Sequence, residues 1–216
     1  MSNIFIEVFA RKNIDYLIEK KNGIWKILLI FYLITIAILI LPLWIHGTLG
    51  LAQGNVWFKS SDFLPYLIGQ PTLFVLLNLL VAFVFLSIQF IAAKMYGGSA
   101  HFLEFLPKSL FIFTLPFLGS ALNFAVRSLT NSTGIDPHPL QNFIPLLSTF
   151  SDILSVASIL FLIYALYLHI KFTKSLMNLT TIQSIISVAT PIILTIILIL
   201  ISVFLSSLGG FAIGRH

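Results

Sequence analysis

ILLIFYLITIAILILPLWI, residues 27–45, decides the fold: nineteen successive positions carry no charged side chain, and nearly all are aliphatic or aromatic. A helix needs about 20 such residues to cross the ~30 Å hydrocarbon layer of a bilayer. Four further runs, 72–93, 109–126, 153–170 and 185–208, come close to that length and also lack charge. The predicted fold class is therefore all-α: a polytopic membrane protein of five transmembrane helices, preceded by an N-terminal interfacial amphipathic helix. Composition agrees, with 58% hydrophobic and 9% charged residues against about a quarter charged in ordinary soluble domains. The longest gap between runs is 127–152, too short for a separate domain. Residues 1–22 are expected to form a cytoplasmic lead-in, 23–208 the five-helix domain and 209–216 an extracytoplasmic tail. The first run is too long for a signal-peptide core, and Ile40-Leu41-Pro42 offers no small-residue cleavage pattern.

Orientation follows from the basic residues, because lysine and arginine are retained on the cytoplasmic side. With the N-terminus inside, Arg11, Lys12, Lys20, Lys21, Lys26, Lys94, Lys108, Lys171 and Lys174 are cytoplasmic, and only Lys59, Arg127 and Arg215 lie outside. The expected placement is the cell membrane, with the N-terminus cytoplasmic and the C-terminus extracytoplasmic. The net charge of +5 then reports topology and attraction to anionic lipid. The basic residues are scattered and no nucleic-acid-binding module accompanies them, so nucleic acid is not an expected partner.

In the lead-in, a uniform helical wheel puts Phe5, Ile6, Phe9, Tyr16 and Leu17 on one side and Glu7, Arg11, Lys12, Asp15 and Glu19 on the other, leaving Ile4 and Val8 off the apolar side. That pattern suits a helix lying in the interface, serving as a lead-in to the first span or as a docking surface with Arg11 and Lys12 exposed. The stretch 46–71 carries Gly47, Gly50, Gly54, Pro65, Gly69 and Pro71 and reads as an outer loop. Residues 127–149, with Asp136-Pro137-His138-Pro139, read as a second. Pro116 and Pro191 fall inside spans, where each removes one intrahelical hydrogen bond and predicts a kink; Thr114, Ser187 and Thr190 are placed to satisfy the freed carbonyls.

Chemistry is sparse. Cysteine is absent, which excludes disulfides, thiolate catalysis and iron–sulfur ligation. All acidic residues lie in loops, in the lead-in or at span ends, so no carboxylate is expected to relay protons at membrane depth. The nearest ionisable groups are His169, at the inner end of span four, and Arg127 with Asp152 at the outer ends of spans three and four, where the last two are expected to pair. His101 and Glu104 have the i,i+3 spacing of helical metal sites but lack further ligands. Ser184, Ser187, Pro191 and Thr195 share one face of span five, and Ser148, Asp152 and Ser155 one face of span four, as helix-packing stripes. No catalytic residue, metal or cofactor is expected, and the chain is not expected to be an enzyme.

The inner stretch Lys94-Met95-Tyr96-Gly97-Gly98-Ser99-Ala100-His101-Phe102, followed by a span with Leu115-Pro116-Phe117 at its middle, resembles the Yip1-like family of five-span membrane proteins, in its bacterial members. Thr180-Thr181-Ile182-Gln183 looks like the family's short joint before its last helix. The eukaryotic Asp-Leu-Tyr-Gly-Pro signature has no counterpart. The resemblance implies a non-enzymatic accessory or scaffold protein that binds and stabilises other integral membrane proteins, as in transport or envelope-stress systems. Gly97-Gly98 permits positive φ, so the chain is expected to leave span two sharply and lay 101–106 along the interface before Pro107 opens span three. Together with the lead-in, this loop forms the expected docking edge. The alternative is a subunit of a small-solute transporter or permease. Lipid and other integral membrane proteins are the expected partners, with self-association left open.

Overall fold

The computed structural model describes residues 2–10, 13–19, 23–52, 63–130 and 143–213, and every element within them is helical. The N-terminal segment is α1 (Ser2–Phe5), a π-helical turn (Ile6–Ala10) and α2 (Ile14–Glu19). Long helices follow: α3 (Ile24–Ala52), α4 (Phe63–Met95), the short pair α5 (Phe102–Ile112) and α6 (Thr114–Thr130), then α7 (Ile144–Met177) and α8 (Thr181–Ile213). Among the described residues four helices are long and apolar enough to cross a membrane, and α5 with α6 joins them if the bent pair crosses as one unit. The chain is a multi-pass membrane protein.

The helices overrun the expected spans. Gly47 and Gly50 lie within α3, and Gly69 and Pro71 within α4, so helix replaces loop at both ends of the outer loop expected over 46–71, and residues 53–62 lie outside the described residues. An unpaired backbone group is costly near lipid, which favours continued helix over a glycine's intrinsic reluctance. Pro107 does not open a helix either: α5 begins at Phe102, so 101–106 is its first turn and a half instead of an interfacial strap.

Local chemistry sets the near-end turns, those beside the N-terminal segment. Gly97 adopts φ 88°, and Gly97 N–H donates to Lys94 O at 2.9 Å while Gly98 N–H donates to Ala93 O at 3.0 Å, closing α4. Asn178, at φ 56°, ψ 43°, terminates α7 in the same left-handed region. Two residues later α8 opens with a reciprocal cap: Gln183 N–H donates to Thr180 Oγ1 at 3.3 Å and Thr180 N–H to Gln183 Oε1 at 2.9 Å.

The span read over 109–126 is broken by 46° between α5 and α6. Pro116 explains the site: it has no N–H for Ile112 O, and its ring would meet that carbonyl in a continuous helix. Phe113 N–H donates instead to Leu110 O, and Thr114 Oγ1 to Phe111 O at 2.7 Å. At Pro191, by contrast, α8 continues, with the Ser187, Thr190 and Thr195 hydroxyls each donating to the carbonyl four residues earlier.

The long elements close a ring, α3 against α4 and α6, α4 against α8, α8 against α7, and α7 against α6. The N-terminal segment packs into its near end. Ile4, Val8, Ile14 and Leu17 are buried in the main apolar cluster, whereas Ile6 is exposed. The uniform wheel misplaces Ile4 and Val8 because the segment changes helix type at Ile6 and restarts at Ile14, with Asn13 Oδ1 accepting the Tyr16 N–H at 3.2 Å. Phe5 and Phe9 meet Phe111 at 4.9 and 5.6 Å between ring centroids. The apolar side of this segment therefore serves the protein core.

Candidate functional site

Of the expected docking edge, Arg11 and Lys12 lie outside the described residues. Gly97, Gly98, His101 and Glu104 are together at the near end. His101 is exposed and flanks α5 without a side-chain cap. Glu104 engages Lys108 at 2.8 Å, one turn on, so the His101–Glu104 spacing does not form a metal pair. Among the described residues no group of three or more His, Cys, Asp or Glu could hold a metal ion. Lys108 is the residue that sequence reasoning missed. Counted as a boundary lysine, it is only 2% exposed, and its Nζ donates to Glu104 Oε1 and, at 2.6 Å, to Ile18 O. A charged hydrogen bond to α2 thus pins the N-terminal segment, assisted by Tyr164 Oη to Phe9 O and Ser175 Oγ to Asp15 Oδ1.

Deeper in the ring, α4 and α7 share a polar node. Gln89 Nε2 donates to Thr173 Oγ1 at 3.1 Å, and Gln89 Oε1 lies 2.8 Å from His169 Nε2. All three side chains are buried. With the amide nitrogen committed to Thr173, the amide oxygen accepts, so the bonding pattern assigns the proton of the neutral imidazole to Nε2. Nδ1 then has a free lone pair and no hydrogen-bond partner among the described residues. Phe105, Phe113 and Phe172 surround the ring at 5.0–6.0 Å.

At the far end the expected Arg127–Asp152 pair is not formed. Arg127 Nε donates to Ser151 Oγ at 3.1 Å and a terminal nitrogen reaches Ser155 Oγ at 3.4 Å, while Asn123 bonds both serines. One residue is about 100° of helix, so with Ser151 and Ser155 facing α6, Asp152 is turned away and exposed. The packing face of α7 is Ser151, Ser155 and Ser158, shifted from the expected Ser148, Asp152 and Ser155. A Cβ on Gly119 would lie 2.7 Å from Ser158 Oγ, so α6 and α7 approach closely there, as small residues allow. On α8 the expected stripe holds: Ser184, Ser187 and Pro191 are buried and Thr195 is half-buried.

The ring borders an open-sided cavity of about 560 Å³, within the ~300–1,000 Å³ range of small-molecule sites. Pro116 and Pro191 both line it. Its walls are mainly apolar; the polar groups are Tyr32, Asn78, Ser120 and Ser158, with Gln89 and His169 of the node, and among the described residues no charged side chain lines it. No curated protein and no solved structure matches the chain. A family model, that of the Yip1 domain, matches residues 7–203, which takes in the docked N-terminal segment from its π turn onward, the ring and the first two-thirds of α8; the chain belongs to the Yip1 domain family.

Proposed function

We propose that this protein is a non-enzymatic accessory or scaffold component of the cell membrane that binds a transmembrane helix of another integral membrane protein and stabilises or regulates its complex. One observation carries the reading. In α3 a single stripe of buried residues, Leu28, Phe31, Thr35 and Leu39, faces the bundle, and in α8 the corresponding stripe stops at Pro191. From Ile192 to Ile201 every residue except Thr195 is exposed, so about 15 Å of α8 presents aliphatic surface on all sides. The engagement of Lys108, Arg127 and His169 by neighbouring polar groups supports a structural role for them over acid–base chemistry.

The test is site-specific photo-crosslinking in native membranes from positions 198 and 200, with position 160 on the outer face of α7 as control. A discrete protein adduct from Leu198 or Leu200 and none from Leu160 is expected. Equal lipid-only labelling at all three, or an adduct containing a second copy of the chain, overturns the reading. The cytoplasmic placement of the N-terminus, motivated by the nine-to-three basic imbalance, is also a proposal. In this cysteine-free chain, Asn3→Cys should resist an impermeant maleimide in intact cells while Arg215→Cys reacts; the reverse pattern inverts the topology.

A second reading, a subunit of a small-solute transporter, draws on the α5–α6 break beside the cavity, since interrupted helices at membrane depth build transporter sites. Solute flux into liposomes that contain only this protein would favour it.

A further inference from the structure

We infer that the corner of the near end formed by Met95, Tyr96, Leu103 and Ile182 is a membrane-surface binding site, whose apolar side chains enter the adjoining leaflet and whose Lys94 binds the phosphate of an anionic lipid. Among the described residues, Met95, Leu103 and Ile182 are the three most exposed large apolar side chains, at 82, 80 and 71%. They lie at the end of α4 and in the first turns of α5 and α8, and α4 packs against both of those helices. The corner is held in shape. Phe102 packs on Phe90 at 5.2 Å between ring centroids, and the Ser99 N–H bond to Met177 O ties the α4–α5 connector to the turn that leads into α8. A lone exposed apolar residue needs no explanation, whereas several on one rigid rim mark an interaction surface.

Length places this corner at a bilayer surface. The apolar part of α4, Ile68–Met95, has 28 residues, about 42 Å of helix. A bilayer offers ~30 Å of hydrocarbon and ~40–45 Å once its headgroup regions are included, and a tilt of about 20° absorbs only ~3 Å of the difference. The ends of α4 therefore lie among headgroups. The near end also carries the residue types of that zone: Lys94 Nζ is 5.6 Å from the centre of the Phe90 ring, Lys171 Nζ is 5.0 Å from that of Tyr167, and Trp25 and Lys26 are exposed side by side at the start of α3. Such side chains gather at headgroup level because they join an apolar body to a polar tip. On α7, by contrast, the exposed Lys174 and Ser175 are polar, and Ser175 bonds Asp15 of α2. The apolar corner is thus one side of the near end and not its whole rim.

Charge decides the headgroup. Among the described residues, Lys26, Lys94, Lys171 and Lys174 are exposed and have no carboxylate in ion-pair contact. Glu104, the acidic residue next to Leu103, is held by Lys108 at 2.8 Å. The corner therefore presents an ammonium beside apolar side chains, which matches a phosphate at the top of acyl chains. This inference does not rest on the accessory role, since it concerns the protein alone in lipid.

The chain has no cysteine, so Met95→Cys, Leu103→Cys, Ile182→Cys and, as a control, Ser175→Cys can each carry one nitrobenzoxadiazole fluorophore. Purified full-length protein is reconstituted into vesicles of equal parts phosphatidylcholine and phosphatidylglycerol. Fluorophores at 95, 103 and 182 are expected to emit blue-shifted relative to 175, to be quenched by lipid bearing a nitroxide near its headgroup, and to resist iodide present on both sides of the membrane. The fluorophore at 175 should respond to iodide alone. In a second measurement, phosphatidylglycerol with a diazirine next to its headgroup should label residues 94–103 in preference to the phosphatidylcholine analogue. Lys94→Gln should lower that preference about fivefold, the scale of one lysine at an anionic surface. Iodide quenching at 95, 103 and 182 equal to that at 175 would overturn the inference. So would shielding from both quenchers, the mark of a second copy over the corner, or a lipid preference unchanged in Lys94→Gln.

Discussion

Gln89→Leu is expected to destabilise the protein by about 2–4 kcal/mol, a loss of roughly 4–16 °C in thermal midpoint for a chain of this size. The side chain is the only described link between His169 Nε2 and Thr173 Oγ1, at 2.8 and 3.1 Å. An interhelical hydrogen bond in a membrane protein is worth only about 0.6–1.7 kcal/mol, so the larger part of the effect comes from what is left behind. Thr173 recovers by turning its hydroxyl to a carbonyl one turn earlier in α7. His169 cannot, because its Nδ1 already lacks a partner and Phe105, Phe113 and Phe172 close around it. An orphaned buried donor costs about 1–3 kcal/mol. That asymmetry yields a sharper expectation: Gln89→Leu combined with His169→Phe should be more stable than Gln89→Leu alone, since both ends of the bond then become apolar. A double-mutant cycle read by thermal melting in mild detergent measures it, and strictly additive effects would show that the two residues are not coupled.

The same node marks where sequence reasoning reaches its limit. The apolar runs were legible because bilayer thickness imposes one length and forbids charge, and the α8 stripe was legible because that helix is regular from its Thr180–Gln183 cap onward. Pro116 was legible as a break, although the Thr114 hydroxyl bonds Phe111 O and not Ile112 O, the carbonyl that the proline leaves without its N–H. Partners across the ring were not. Gln89 and His169 are separated by 80 residues, and nothing local marks either as the other's ligand. Arg127 and Asp152 invited pairing by sign alone, and a single step of helical phase gave Arg127 to Ser151 and Ser155. The N-terminal segment failed for a related reason: its π turn shifts the register, so Ile4 and Val8 became core. Lys108 had a readable signal, Glu104 one turn earlier, but its burial depends on α2 returning over α5. Phase and tertiary return decide these contacts, and neither is encoded in residue spacing.

Gly98→Val is expected to destabilise the near end by about 2–4 kcal/mol, more than Gly97→Ala, because the two glycines meet different constraints. Gly97 has φ 88° and open space around a would-be Cβ, so Gly97→Ala meets only the torsional penalty of the left-handed region, about 1–2 kcal/mol, and Gly97→Asn less still. Gly98 has no such torsion. A Cβ there would lie 2.9 Å from Ala93 O and 3.1 Å from Met177 Sδ. The thioether can rotate away, but the carbonyl cannot, since it accepts the N–H groups of both Tyr96 and Gly98. Relief therefore requires the α4 terminus to shift. Ser99 N–H donates to Met177 O at 3.1 Å, so that shift also loosens the hold on the last turn of α7, beside the cap that starts α8. The expected signature is a lowered thermal midpoint together with faster amide exchange at residues 174–183, with Gly97→Ala slowing or speeding exchange only around 94–99. Wild-type exchange at 174–183 in a destabilised Gly98→Val protein would show that the connector and the α7–α8 turn are mechanically separate.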